Sequence, residues 1–195
     1  MMTYKENEYD LEPLFKRIDE LCMRQGAIIA IDGGSGSGKT TLAQAIKNRY
    51  GAYVIHMDDF YLPKEKRSQK RLDELAGHMD KERFLETVLV PLSLGKDIAY
   101  RPYLCKEGVF GKEQSLFPDK LTVIEGSYSL YPDFVKYYTL TVFLDTDEKK
   151  RRERILKRCS SEKEAQAFFD TWIPLENTYF EATDIKNRCD LIIKF

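Results

Sequence analysis

Gly33-Gly34-Ser35-Gly36-Ser37-Gly38-Lys39-Thr40 reads as G-x-x-x-x-G-K-[ST], and it lies between the apolar run Ala27-Ile28-Ile29-Ala30-Ile31 and a helix-like segment opening at Thr40-Thr41-Leu42. Glycines at this spacing let the backbone curl until consecutive N–H groups and a helix N-terminus point at one anion. The pattern predicts a nucleoside triphosphate site built by Gly33, Gly34, Ser35, Gly36, Ser37, Gly38, Lys39, Thr40 and Thr41. Lys39 reaches the β- and γ-phosphates in such a loop, and the Thr40 hydroxyl ligates Mg²⁺. A chance glycine-rich turn is the bland alternative, and a strand before it with a helix after it weighs against chance.

Outward from the loop, Leu11, Leu14, Phe15, Ile18, Leu21 and Cys22 recur at helical spacing before Gly26. Leu42, Ala45, Ile46 and Tyr50 form a second apolar helical face that stops at Gly51, and Tyr53-Val54-Ile55 follows as a strand. Two more apolar runs, Leu121-Thr122-Val123-Ile124 and Leu140-Thr141-Val142-Phe143-Leu144, run into Glu125-Gly126 and Asp145, and Leu191-Ile192-Ile193 closes the chain. Continuous apolar strands alternating with helical segments predict an α/β fold, a parallel sheet with helices on both faces. Ligands of such sheets sit beyond the C-terminal strand ends, where Gly33, Asp58, Glu125 and Asp145 all fall.

Residues 60–120 interrupt the pattern. Phe84, Leu85, Val88, Leu89 and Leu92 share an apolar face carried past Pro91 to Gly95, and Ile98-Ala99-Tyr100-Arg101-Pro102-Tyr103 reads as a short extended piece. This length suits an inserted acceptor-binding region within a single domain of 195 residues, with a lid and following helices over 146–182.

The charges nearly cancel, 31 Lys plus Arg against 32 Asp plus Glu, which gives no broad positive field for a nucleic-acid backbone. The polar start, Met1 to Glu8, and the lack of any long apolar stretch fit a soluble, cytoplasmic protein that needs no membrane. Cys22, Cys105, Cys159 and Cys189 are scattered, which suggests neither a zinc site nor a disulfide framework.

Transfer of a phosphoryl group to a hydroxyl needs that hydroxyl aligned and finally deprotonated while Mg²⁺ and cations absorb charge. Asp58, just past the second strand, is the candidate base or aligning carboxylate and a further metal-side oxygen; a plain loop acid is the alternative, with Asp59 as rival. Glu125 at the third strand end is the candidate acid for the Mg²⁺ shell beside Thr40. Arg151, Arg154 and Arg158 recur at helical spacing and could close over the phosphates, although such charge-dense runs are often solvated faces. Ser161 with Glu164 resembles a capping box at a hinge between lid helices. His56 and His78 lack ligand spacing, and Trp172, Phe168 and Phe169 fit a helical core stripe better than a base-stacking platform.

Four blocks together, residues 33–41, His56-Met57-Asp58-Asp59-Phe60-Tyr61-Leu62-Pro63, Val123-Ile124-Glu125-Gly126-Ser127-Tyr128 and Phe143-Leu144-Asp145-Thr146-Asp147, resemble those of the uridine kinase family in order and spacing. The resemblance implies a P-loop NTPase/nucleoside-kinase fold with a five-stranded parallel sheet, and transfer from ATP or GTP, with Mg²⁺, to a ribose 5′-hydroxyl. It implies Asp58 and Lys39 as catalytic groups, Arg154 and Arg158 as lid arginines, Tyr61 on the substrate side and Glu125 on the metal side. Asp80-Lys81-Glu82-Arg83-Phe84 is similar to the segment holding the ribose hydroxyls, without its histidine and proline; Asp80, with Glu82 as rival, and Arg83 are the counterparts. Tyr100-Arg101-Pro102-Tyr103 is similar to the P-x-Y hairpin, giving Arg101 and Tyr103 as acceptor contacts, but Gly108 stands where that family has a histidine. The acceptor is therefore a nucleoside-like small molecule, with nicotinamide riboside, pantothenate or a sugar phosphate as alternatives. A nucleotide-dependent regulatory ATPase is the reading from another class. The resemblance also leaves room for a homo-oligomer.

Overall fold

A computed structural model describes residues 11–21, 26–117 and 119–194, so Cys22 and the segment Met1 to Glu8 lie outside the described residues. Helix α1 (Glu12–Leu21) leads to strand β1 (Ile28–Gly33), every residue of which is buried. Helix α2 (Lys39–Tyr50) begins inside the glycine motif and ends on Gly51, whose left-handed backbone lets its N–H return to the Lys47 carbonyl. Strand β2 (Tyr53–His56) runs into a 3₁₀ turn, Met57–Phe60.

The interrupting region starts with a turn at Lys64–Lys66 and a short α3 (Gln69–Leu72). Helix α4 (Lys81–Phe84) passes through a π-turn, Leu85–Leu89, into α5 (Val90–Ser93), so the helix does carry past Pro91 and stops short of Gly95. Pro91 has no N–H to donate. The wider turn, in which Val90 N–H reaches back to the Leu85 carbonyl, lets the helix accommodate that loss just before the ring. Strands β3 (Ile98–Tyr100), β4 (Tyr103–Leu104), β5 (Val109–Phe110) and β6 (Gln114–Leu116) form two small antiparallel ribbons, β3 with β6 and β4 with β5.

Strand β7 (Thr122–Glu125) returns to the main sheet, followed by β8 (Leu140–Asp145) and α6 (Glu148–Arg158). Then come α7 (Glu162–Ala167), a second π-turn at Phe168–Trp172, α8 (Ile173–Thr183), α9 (Ile185–Arg188) and β9 (Leu191–Lys194). The Ser161 side chain caps α7 by accepting from Glu164 N–H, while the Glu164 carboxylate reaches Ser160 instead of closing the expected box on Ser161. Five strands pair in the order β2-β7-β1-β8-β9, all parallel, as expected.

Alternate residues of β1 feed opposite faces of this sheet. Ile29 and Ile31 join Leu14, Ile18, Leu42 and Ile46 under α1 and α2, whereas Ile28 and Ala30 join Phe60, Phe84, Phe134 and Tyr179 on the other side. Leu42 is fully buried between α2 and the sheet. Replacing it by Ala removes that packing, and urea unfolding should show a loss of about 2–5 kcal/mol.

Candidate active site

The glycine loop closes on itself. Lys39 donates to the carbonyls of Gly33 at 2.7 Å and Gly34 at 3.1 Å, and approaches the Ser127 hydroxyl at 3.4 Å. Gly36 has φ +78°, and a Cβ there would stand 2.7 Å from the Arg151 carbonyl oxygen, so only glycine lets the loop pass this close to α6. Thr146 and Arg154 donate to the Ser37 carbonyl, both at 3.0 Å, with a weaker Arg154 contact to Gly36 at 3.3 Å. Arg151 is buried with its guanidinium where a Gly34 side chain would be. The three arginines thus divide: two brace the loop, and Arg158 stacks on Phe168 at 4.6 Å while its charge reaches Asp58.

Register places His56, Glu125 and Ile31 side by side on β2, β7 and β1. The Glu125 carboxylate, 4% exposed, meets the Thr40 hydroxyl at 3.1 Å and His56 Nδ1 through the same oxygen. That hydrogen bond raises the His56 pKa above 6.5 in spite of partial burial. A hydroxyl on an exposed residue beside a carboxylate is the oxygen donor set a hard divalent cation takes, so Thr40 and Glu125 fit Mg²⁺.

Asp58 follows β2 in the 3₁₀ turn, where the residue reaches solvent while protein crowds its carboxyl group. Burial pushes its carboxyl above the usual range, opposed by Lys39, His56 and Arg158 and reinforced by Glu125. Asp59, the rival, accepts from the Tyr100 hydroxyl at 3.1 Å and is tied to the inserted region. The Tyr61 ring lies 5.9 Å from His78 and 5.7 Å from Trp172, and its hydroxyl feels Asp58.

The other acceptor-side candidates are already engaged. Asp80 caps α4 and pairs with Arg83 Nε at 3.3 Å, while Glu82 turns away to Arg71 at 2.6 Å. Arg83 spans the Asp59 and Arg101 carbonyls and lies 4.4 Å from the Phe60 ring centre. Arg101 braces Gly111 and Phe110, and the Tyr103 hydroxyl accepts from Lys64 N–H at 3.3 Å.

Some groups at the site were unread in the sequence, as Glu176 was, or were given no part in the site, as His78 and Trp172 were. Glu176 of α8 accepts from Ser35 and Ser127, and His78 is buried among aromatic rings with its pKa lowered to about 4, chiefly by burial. Trp172 leaves the core stripe that Phe168 and Phe169 keep, packing on Tyr61 and His78. Asp32 was not singled out from the sequence, although a lone acid in an apolar strand is a signal that could have found it. It accepts from Gly33 N–H at 2.7 Å, Leu130 N–H at 3.0 Å and the Tyr179 hydroxyl at 2.9 Å.

The sequence profile described as "Phosphoribulokinase / Uridine kinase family" matches residues 28–166. The chain belongs to the phosphoribulokinase/uridine kinase family. A uridine kinase of Staphylococcus epidermidis is 28% identical over 186 residues, covering 88% of each chain. A solved structure described as a possible uridine kinase from Bacillus stearothermophilus has a TM-score of 0.66 at 21% identity, over 92% of this chain and 98% of its own. A candidate fructose transport system kinase from Silicibacter sp. TM1040 has a TM-score of 0.71 at 18% identity, over 98% and 99%. These two likenesses establish the P-loop kinase fold. As a member of this family the chain is a kinase, moving a phosphoryl group from a nucleotide to a hydroxyl. Among the described residues no helix is long and apolar enough to cross a membrane.

Asp32 yields a pH test. Burial raises its folded-state pKa from 3.8 to about 6, so its protonated form favours the folded chain. That contribution is complete below pH 3.8 and lost as pH rises through about 6. Relative to Asp32→Asn, the parent should lose about 3 kcal/mol of stability across this window and change little above it, as measured by urea unfolding at stepped pH.

Proposed function

We propose that the chain transfers the γ-phosphoryl group of ATP or GTP to a hydroxyl of a small nucleoside-like acceptor, with the ribose 5′-hydroxyl as the reacting group. One observation carries the reading: Glu125, at the end of β7, meets both the Thr40 hydroxyl of the phosphate loop and His56, two residues before Asp58, so that the donor loop, the metal-side acid and the turn bearing Asp58 share one end of the sheet. A hydroxyl placed against Asp58 would therefore face the end of a phosphate tail lying along the loop.

In this reading the loop amides of residues 33–41 and Lys39 bind the donor phosphates, and Thr40 and Glu125 hold Mg²⁺. The ion supplies charge neutralisation on the transferring group. Asp58 orients the acceptor hydroxyl and takes its proton late, and burial, by raising its pKa, makes it a better proton acceptor. Arg158 adds positive charge on the Asp58 side, while Arg154 keeps the loop carbonyls turned away from the phosphates. Tyr61 and Asp80 are the acceptor-side groups in this reading, with Arg83, Arg101 and Tyr103 shaping that wall through the carbonyls and amide they bind. We further read the chain as one domain, with residues 60–120 serving the acceptor and 146–182 forming the lid, acting in the cytoplasm without nucleic acid or membrane.

The acceptor's base is a separate matter. Gly108, in the hairpin turn at φ +72°, brings no side chain to the place where the resembling family carries a histidine. This favours an acceptor read through its sugar hydroxyls, so other hydroxylated acceptors such as nicotinamide riboside stay in the same site.

Coupled ADP release over a panel of nucleosides and other small alcohols tests the reading. Asp58→Asn should lower kcat by about 100-fold or more and leave ATP affinity by calorimetry nearly unchanged. In the parent, kcat should fall on the acid side with a pKa above the ordinary 3.8 of an aspartate. A variant with parental kcat would remove Asp58 from the mechanism, and hydrolysis indifferent to every acceptor would favour the regulatory ATPase.

A further inference from the structure

Helix α8 lays a carboxylate on the phosphate loop. Glu176, 3% exposed, accepts the Ser35 N–H at 2.8 Å with one oxygen, and with the other meets the hydroxyls of Ser35 at 2.6 Å and Ser127 at 2.7 Å. The same Ser127 oxygen lies 3.4 Å from the Lys39 ammonium. An amide of the loop that gathers phosphate is thus engaged by an anion from the protein itself. Four residues earlier, on the same side of the helix, Trp172 packs 5.7 Å from Tyr61 and 5.5 Å from His78. His78 Nε2 is buried there without a hydrogen-bond partner. One short stretch of helix therefore touches the donor side through Glu176 and the acceptor side through Trp172.

We propose that Glu176 is a positioning residue that makes the acceptor pocket respond to the donor's terminal phosphate. The inference rests on the reading above, in which the donor lies on residues 33–41 and the acceptor against Tyr61. A triphosphate brings its terminal negative charge to the Lys39 side of the loop, where Glu176 already holds Ser35 and Ser127. Two anions in so enclosed a place repel strongly. The carboxylate gives way, and because Trp172 and Glu176 share one rod, the indole shifts against Tyr61 and His78. The π-turn Phe168–Trp172 and Pro174, two residues before Glu176, mark where the rod can yield. A diphosphate lacks the terminal group and leaves Glu176 in place. Donor binding then precedes and permits acceptor binding, since a ligand shifts an equilibrium only by its different affinity for the two states.

Trp172 is the only tryptophan of the chain, so its emission reports this contact directly. Titration with Mg²⁺ and AMP-PNP should shift the emission, and saturating ADP should shift it far less. Glu176→Gln keeps the shape and removes the charge. It should tighten AMP-PNP relative to ADP by about fivefold or more in calorimetry and make the acceptor Kd independent of which of the two nucleotides is bound, while Glu176→Asp restores the parental ratio. An unchanged AMP-PNP to ADP affinity ratio in Glu176→Gln, or equal emission with both nucleotides bound, overturns the proposal and leaves the kinase reading standing. A parent that binds neither nucleotide overturns both. Should Glu176→Gln fail to fold, the emission comparison on the parent decides alone.

Discussion

Parallel pairing of β1 with β7, Ile31 opposite Glu125, fixes where every chemically active group can stand. The chain leaves β1, the central strand, at Gly33 and must turn over the C-terminal strand ends within a few residues before α2 starts at Lys39. That turn lies above the same row of the sheet from which Glu125 and His56 emerge. Thr40, in the first turn of α2, then meets Glu125 without any special loop to bring them together. The strand register does the work of alignment, and the glycines make the turn sterically possible.

What was legible in the sequence follows from that constraint. Apolar runs broken by acids announced the strands and their ends, because strands buried on both faces admit few polar residues. The loop, Asp58 and Glu125 were readable since each lies where a run stops. The uridine kinase resemblance supplied the strand count, and the sheet agrees with it. His56 was passed over because a lone histidine has no spacing to read; only the register against Glu125 shows what it touches. Glu176 lies 141 residues from Ser35, and no local pattern connects residues at such separation.

The π-turns account for another illegible part. A periodicity of 3.6 places Phe168, Phe169 and Trp172 on one stripe, and Phe168 and Phe169 indeed pack against the cluster of Ile155, Ala165 and Ile173. The widened turn at Phe168–Trp172 inserts the equivalent of one extra residue, which rotates the face and sends the indole to Tyr61 instead. In α4 and α5 the same device precedes Pro91. A proline stands two residues after the turn in both helices, Pro91 and Pro174, and its meaning emerges only once the hydrogen-bond pattern is known.

Those widened turns impose a counting rule on the chain. Each residue of a regular helix advances about 100° around the axis. Shortening the stretch between α7 and Glu176 by one residue would let the ladder relax into the ordinary α form, yet swing the carboxylate a quarter-turn or more from Ser35. Local helical regularity and the reach of this side chain are therefore in opposition. The number of residues here is set by the angle at which Glu176 arrives, so length variation is far easier to accommodate in the exposed hairpin turn at 105–108 than along this rod.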